Sequence, residues 1–221
     1  MKKMILLLAA VCLLVTGCGK KEAAKSEPAQ ESQQTQETQA VTVTPLPDTT
    51  MENLTDAILS VSLEEGGAYV DNTGKMQMDV KIYTYDKYDM VDIAALKEGD
   101  IIVTHAGEVE VTSLNRTESG LIFVNGGQEE GGFDLFTDDS GVYYEVGFND
   151  AKNWYEVGEA TIRVSVDFIG YDNADPEQGE VVLYPGSFLV GEVTDYNFTP
   201  YNTTIRIEAG QIVEMTRVFV P

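Results

Sequence analysis

Histidine and tryptophan each occur once in the 221 residues, and cysteine twice, at Cys12 and Cys18. Basic side chains are scarce as well: 14 Lys and Arg stand against 37 Asp and Glu, for a formal net charge of −23. These shortages exclude whole chemistries. A surface of that sign repels phosphate backbones and anionic headgroups, which removes nucleic acid from the candidate partners. One imidazole is too few for a zinc site built on two or three histidines. A catalytic triad would have to use His105, with a nucleophile and a carboxylate that the sequence does not place beside it. Following Ile101-Ile102-Val103, His105 reads instead as a structural residue at a strand end. No aromatic residue precedes Tyr69, and all 20 lie between Tyr69 and Phe219. The acidic excess is concentrated in the same way, since residues 51–221 hold 9 basic and 32 acidic side chains.

What the N-terminus does contain is Met1-Lys2-Lys3 and then an uninterrupted apolar run of 11 residues from Ile5 to Val15. That run is too short to span a bilayer as a helix and suits an export signal. It closes on Val15-Thr16-Gly17-Cys18, which resembles the lipobox of bacterial lipoproteins. The resemblance covers residues 1–19. It implies a signal peptide over residues 1–17, cleavage before Cys18, and a diacylglycerol on the Cys18 thiol, with the membrane as partner through that anchor. Cys12 then leaves with the signal, so disulfides, thiol nucleophiles and thiolate metal sites are excluded from the mature domain. Residues 18–50 are rich in Gln, Glu, Thr, Ser and Ala and read as a disordered tether. Such a coil would hold the domain on the order of 30 Å from the membrane, with an extended reach of roughly 110 Å.

From residue 51 onward the dominant signal is period-2 alternation. Ala160, Ile162, Val164, Val166 and Phe168 fall on one face, with Thr161, Arg163, Ser165 and Asp167 on the other. Met76, Met78, Val80 and Ile82 alternate likewise with polar neighbours, and Val109 and Val111 with Glu108, Glu110 and Thr112. Further strands are expected at 100–105, 120–125, 132–137, 141–147, 180–184, 187–193, 202–208 and 211–220, with turn chemistry between them. About a dozen strands at this spacing predict an all-β, mainly antiparallel sandwich or barrel. Helix is expected only at residues 53–60, near the start of the domain with Asn53 as N-cap, and as one turn at residues 92–96. One acidic β domain over residues 51–221 is the simplest division, with a subdivision conceivable at the glycine cluster of residues 126–132.

The glycine-rich stretch 125–132 lacks the Lys-Ser/Thr ending of a phosphate loop and carries Glu129 and Glu130, so it reads as a hairpin loop. Asp172, Asn173, Asp175 and Glu177 form a weak calcium candidate, because hard cations take several oxygen ligands. Asp134, Asp138 and Asp139 form a second acidic group. The aromatics are more suggestive. Tyr83, Tyr85, Tyr88, Trp154, Tyr155, Tyr196, Phe198 and Tyr201 sit in or beside segments rich in Asn, Asp, Gly and Pro. Flat rings flanked by amide and carboxylate groups offer platforms for sugars or for another protein, although a tyrosine-rich second core layer would give the same pattern. Together these features point to a lipid-anchored, non-enzymatic binding or accessory module outside a bacterial cytoplasmic membrane, with carbohydrate or an envelope protein as partner and no cofactor beyond calcium. A carboxylate-dependent hydrolase of extracellular polysaccharide and a structural subunit of an envelope complex are the alternatives.

Overall fold

The computed structural model describes residues 39–221 apart from Asp139. The expected signal peptide, Cys18 and the expected tether up to residue 38 lie outside the described residues. The chain runs through β1 (Thr42–Val43), β2 (Ala57–Ser62), β3 (Ala68–Val70), β4 (Met76–Thr84), β5 (Lys87–Asp89), the helix α1 (Met90–Ala95), β6 (Ile101–Thr104) and β7 (Gly107–Glu110). It continues through β8 (Leu114–Arg116), β9 (Ile122–Val124), β10 (Phe133–Thr137), β11 (Val142–Glu145), β12 (Tyr155–Asn173), β13 (Val181–Leu183), β14 (Thr203–Glu208) and β15 (Gln211–Val218). The all-β expectation holds.

Five of these strands close into a barrel. β12 pairs antiparallel with β4 through its first half and parallel with β15 through its second, while β2 and β14 complete the ring. Counted along the chain, the barrel strands β2, β4, β12, β14 and β15 are neighbours in the order 1-2-3-5-4-1, with the third and fifth parallel. That is the connectivity of the five-stranded Greek-key barrel known as the OB-fold. Closure follows from sequence periodicity: Met76, Met78, Val80 and Ile82 point inward from β4, and Leu59 and Val61 from β2, while Gln77, Asp79, Lys81 and Tyr83 face out. A 3-10 turn, Pro185–Phe188, adds Phe188 to the barrel core, where it packs against Phe168 and Phe198 with ring centroids 6.2 Å apart in both cases.

Residues 85–154 are inserted between the second and third barrel strands and have their own core, built from Tyr88, Ile93, Leu96, Ile102, Val111, Ile122, Val124, Phe133 and Leu135. Two small sheets carry it, β5-β11-β10-β9-β8 and β1-β6-β7. The glycine cluster 126–132 is the β9–β10 hairpin within this insertion, where a Cβ on Gly132 would lie 1.9 Å from the Val124 carbonyl oxygen.

Five expectations are corrected. Residues 57–62 form a strand, not part of a helix, because Leu59 and Val61 enter the barrel core while Ile58 between them is 73% exposed. The Asn53 side chain accepts from the Thr55 amide in a local turn and caps no helix, so the short α-helix of the fold is α1, capped by Asp89. Residues 187–193 are not a strand: the 3-10 turn begins at Pro185, and the Ser187 hydroxyl accepts from the Tyr184 amide. Order begins before residue 51, since β1 pairs parallel with β6 and buries Val43 in the insertion core. Finally, Val166 is 84% exposed although its alternation partners Ile162, Val164 and Phe168 are buried. The β12–β15 register jumps from Val164↔Ile212 to Ile169↔Glu214, so four residues of β12 stand opposite one of β15 and the inward sequence is interrupted.

This bulge sets a test. Truncating Phe168→Ala should cost about 3–5 kcal/mol of unfolding free energy in guanidinium denaturation. Val166→Ala should change it by less than about 0.5 kcal/mol.

Candidate functional site at the junction of barrel and insertion

The chain leaves the barrel at Thr84 and returns at Tyr155, residues that are register partners across β4 and β12. Everything inserted therefore hangs from two adjacent strand ends. Just beyond the first of them sits Asp86, 5% exposed. One carboxylate oxygen, Oδ2, accepts from the His105 backbone N–H at 2.6 Å and lies 3.4 Å from His105 Nδ1. The other, Oδ1, accepts from the Tyr155 hydroxyl at 3.0 Å. His105 belongs to the β6–β7 turn, and its imidazole stacks on the Tyr155 ring with centroids 4.4 Å apart and planes 13° from parallel. Burial, followed by the neighbouring Asp86 carboxylate, pushes the Tyr155 hydroxyl up, so it stays a donor.

Glu145, at the end of β11, completes the group. Its carboxylate accepts from the Asn153 side-chain amide at 2.8 Å. Burial pushes its carboxyl up; the Asn153 hydrogen bond and His105 oppose this, Asp86 adds to it, and the net shift is upward.

An aromatic layer abuts these groups. Tyr85 meets Trp154 edge to face at 5.0 Å and Tyr144 at 5.9 Å. The Lys152 ammonium lies 4.4 Å from the Tyr85 ring centre and 5.3 Å from that of Tyr144, and pairs with Asp138 at 3.0 Å. Burial pulls Lys152 down, but Tyr85 and Asp138 outweigh it and the net shift is upward. A cleft of about 220 Å³ opens here, lined by Pro45, Leu46, Pro47, Asp48, Tyr85, Asp86, Lys87 and Tyr155. The N-terminal segment forms its wall, tied by the Leu46 amide to the Lys87 carbonyl at 2.6 Å and by the Thr84 hydroxyl to Asp48 at 3.1 Å.

The structure thus gathers Tyr85, Trp154 and Tyr155 from the aromatic candidates, with Tyr83 on the outer face of β4, its hydroxyl 3.2 Å from that of Ser62. Tyr88 does not belong to them. It is fully buried in the insertion core and its hydroxyl donates to the Val103 carbonyl at 2.9 Å. Tyr196, Phe198 and Tyr201 lie in the connection from β13 to β14, and Phe198 is buried between Phe188 and the Arg217 guanidinium, 4.3 Å from its ring centre. The Asp172, Asn173, Asp175 and Glu177 set does not converge as a cation site. Asp172 gives both oxygens to Arg217, Asp175 accepts from the Glu177 amide and the Gln178 side chain within its own turn, and the three carboxylates form no compact cluster among the described residues. Asp138 is committed to Ser140 and then to Lys152, which hold its carboxyl down at about 2; Asp139 lies outside the described residues.

Sequence reasoning missed Asp48, Asp86, Glu145 and Lys152. Nothing in the string separates Asp86 from the other carboxylates, because its role comes from contacts with residues 19 and 69 positions away.

A second concavity, about 710 Å³, lies on the outer face of the second and third barrel strands and is lined by Glu64, Glu65, Asp79, Lys81, Glu159 and Thr161 among others. This is the face on which barrels of this connectivity take ligands, and here it carries four carboxylates and one lysine. No protein-family model, curated protein or solved structure matches the chain.

Lys152 orders the aromatic layer through two rings and one carboxylate. Lys152→Ala should lower stability by about 1–2 kcal/mol in urea denaturation, and Lys152→Arg should recover most of the loss. The fluorescence of Trp154, the only tryptophan, should shift in the alanine variant.

Proposed function

We propose that the protein is a lipid-anchored binding module, held through Cys18 at the outer face of a bacterial cytoplasmic membrane, and that it engages a small neutral ligand of saccharide type at the barrel–insertion junction. The observation that carries the binding site is the cleft in which Tyr85 and Tyr155 meet the exposed Asp48, with Trp154 against Tyr85. Aromatic faces bury the apolar side of a sugar ring, and carboxylates accept from its hydroxyls. The fixed surroundings of both rings favour binding by limiting the ordering cost. The anchor rests on the N-terminal motif and its resemblance to the lipobox.

Because Trp154 is the only tryptophan and touches a ring that lines the cleft, its emission reports on the site. Titration of the intact mature protein with chitotriose, maltotriose and mannotriose should produce a saturable change with at least one of them. Tyr85→Ala should weaken that response by about tenfold or more, equivalent to roughly 1.4 kcal/mol. No saturable response to any saccharide up to about 10 mM, a range in which binding stronger than roughly 3 kcal/mol is detectable, would overturn the saccharide reading. Release of reducing ends during the titration would instead favour the carboxylate-dependent hydrolase.

A further inference from the structure

The saccharide reading leaves two features of the junction unexplained: the two carboxylates converging on the only histidine, and, among the described residues, the lack of a lysine or arginine paired with them. Asp86 follows β4, Glu145 ends β11 and His105 lies in the β6–β7 turn, yet one ligating atom from each falls within 4.8 Å of the other two. Among the described residues, no lysine or arginine forms an ion pair with either carboxylate. Lys152 is engaged by Asp138, and Lys87 lies over the Tyr85 ring. Carboxylates withdrawn from water without a cationic partner are costly, and a metal ion is one of the two usual remedies.

We propose that Asp86, His105 and Glu145 form a binding site for one divalent first-row transition cation, zinc foremost. The separation between Asp86 Oδ2 and His105 Nδ1, 3.4 Å, is long for an N–H···O hydrogen bond. It matches the separation of roughly 3.4 Å between two ligands placed about 2.0–2.1 Å from a tetrahedral ion. Glu145, partly exposed at the end of β11, brings a carboxylate oxygen within 4.8 Å of both ligand atoms and closes in to join them.

The surroundings do what the outer groups of a metal site do. Tyr155 donates to Asp86 Oδ1 and the His105 amide to Oδ2, while Asn153 donates to Glu145 Oε1. Each carboxylate is therefore aimed by neutral donors and keeps lone pairs free. Stacking against Tyr155 fixes the imidazole plane. The His105 side chain is 28% exposed, which gives an ion a route in and leaves space for water in the remaining positions. A mixed set of one imidazole nitrogen and two carboxylate oxygens favours zinc over manganese by the general affinity order and disfavours calcium, which takes oxygen alone.

The assignment stands on these three residues and does not depend on saccharide binding. Its test uses the untagged, full-length mature protein stripped with chelator. Cobalt(II) should bind one ion per chain with the visible absorption of a nitrogen- and oxygen-ligated ion, and zinc should displace it. His105→Gln and Glu145→Gln should each weaken binding at least tenfold, whereas Asp175→Asn with Glu177→Gln, on the other acidic loop, should leave it unchanged. Both ligand variants retain Asp86, so folding is expected to survive, and melting curves without metal check this. If only one ligand variant folds, that one decides. Absence of one-to-one binding, or binding equally tight in the folded ligand variants, would overturn the proposal.

Discussion

A buried carboxylate at Asp86 is the constraint on which the rest of this structure depends. The two strand ends that flank the insertion would by themselves define a hinge. Asp86 turns the hinge into a joint by accepting one hydrogen bond from the β6–β7 turn of the insertion and one from Tyr155 at the start of the third barrel strand. Charge-assisted bonds of this kind are stronger than neutral ones, and a buried acceptor deprived of its donors is costly. The imidazole of His105 adds a stacked contact with Tyr155 across the same joint. The cleft, the aromatic layer and the carboxylate–histidine cluster all inherit their geometry from it.

The barrel and the insertion divide the work. The barrel buries a continuous apolar core and exposes an acidic outer wall, so its Greek-key connectivity supplies a scaffold. The insertion is too thin to build a large core, and it recruits residues 42–43 from the N-terminal segment as an extra parallel strand. That recruitment also supplies the Pro45–Asp48 wall of the cleft, so one short segment serves both stability and the candidate site.

Much of the fold was legible from alternation alone, because inward side chains of a small barrel must repeat every second residue. β4 is the plainest example, with every second residue from Met76 to Thr84 buried. The failures have physical causes. Residues 57–62 contain Ala57 and Leu59, which suit a helix, but Ile58 and Val61 are β-branched and Ser60 and Ser62 alternate with the inward Leu59 and Val61, so the period-2 signal of a strand outweighs the helical one. Val166 fits the pattern of its strand and is still expelled, because the pattern cannot show where β12 bulges away from β15. At the site, Tyr85, Trp154 and Tyr155 were recognisable from their company of polar and turn residues. Tyr88 and Phe198 carried the same local signature and went into cores. Asp86 and Glu145 carried no signature, since their meaning lies entirely in long-range contacts.

The most direct measurement of the joint is amide hydrogen exchange at His105. This residue sits in a surface turn, where an amide would ordinarily exchange quickly, but its N–H donates to a buried carboxylate. Its exchange should be as slow as that of amides inside β6, and Asp86→Ala, which removes the acceptor, should raise it to the rate of an open turn while the barrel amides of β2 and β15 stay protected. Fast exchange of the His105 amide in the unaltered protein would contradict the account.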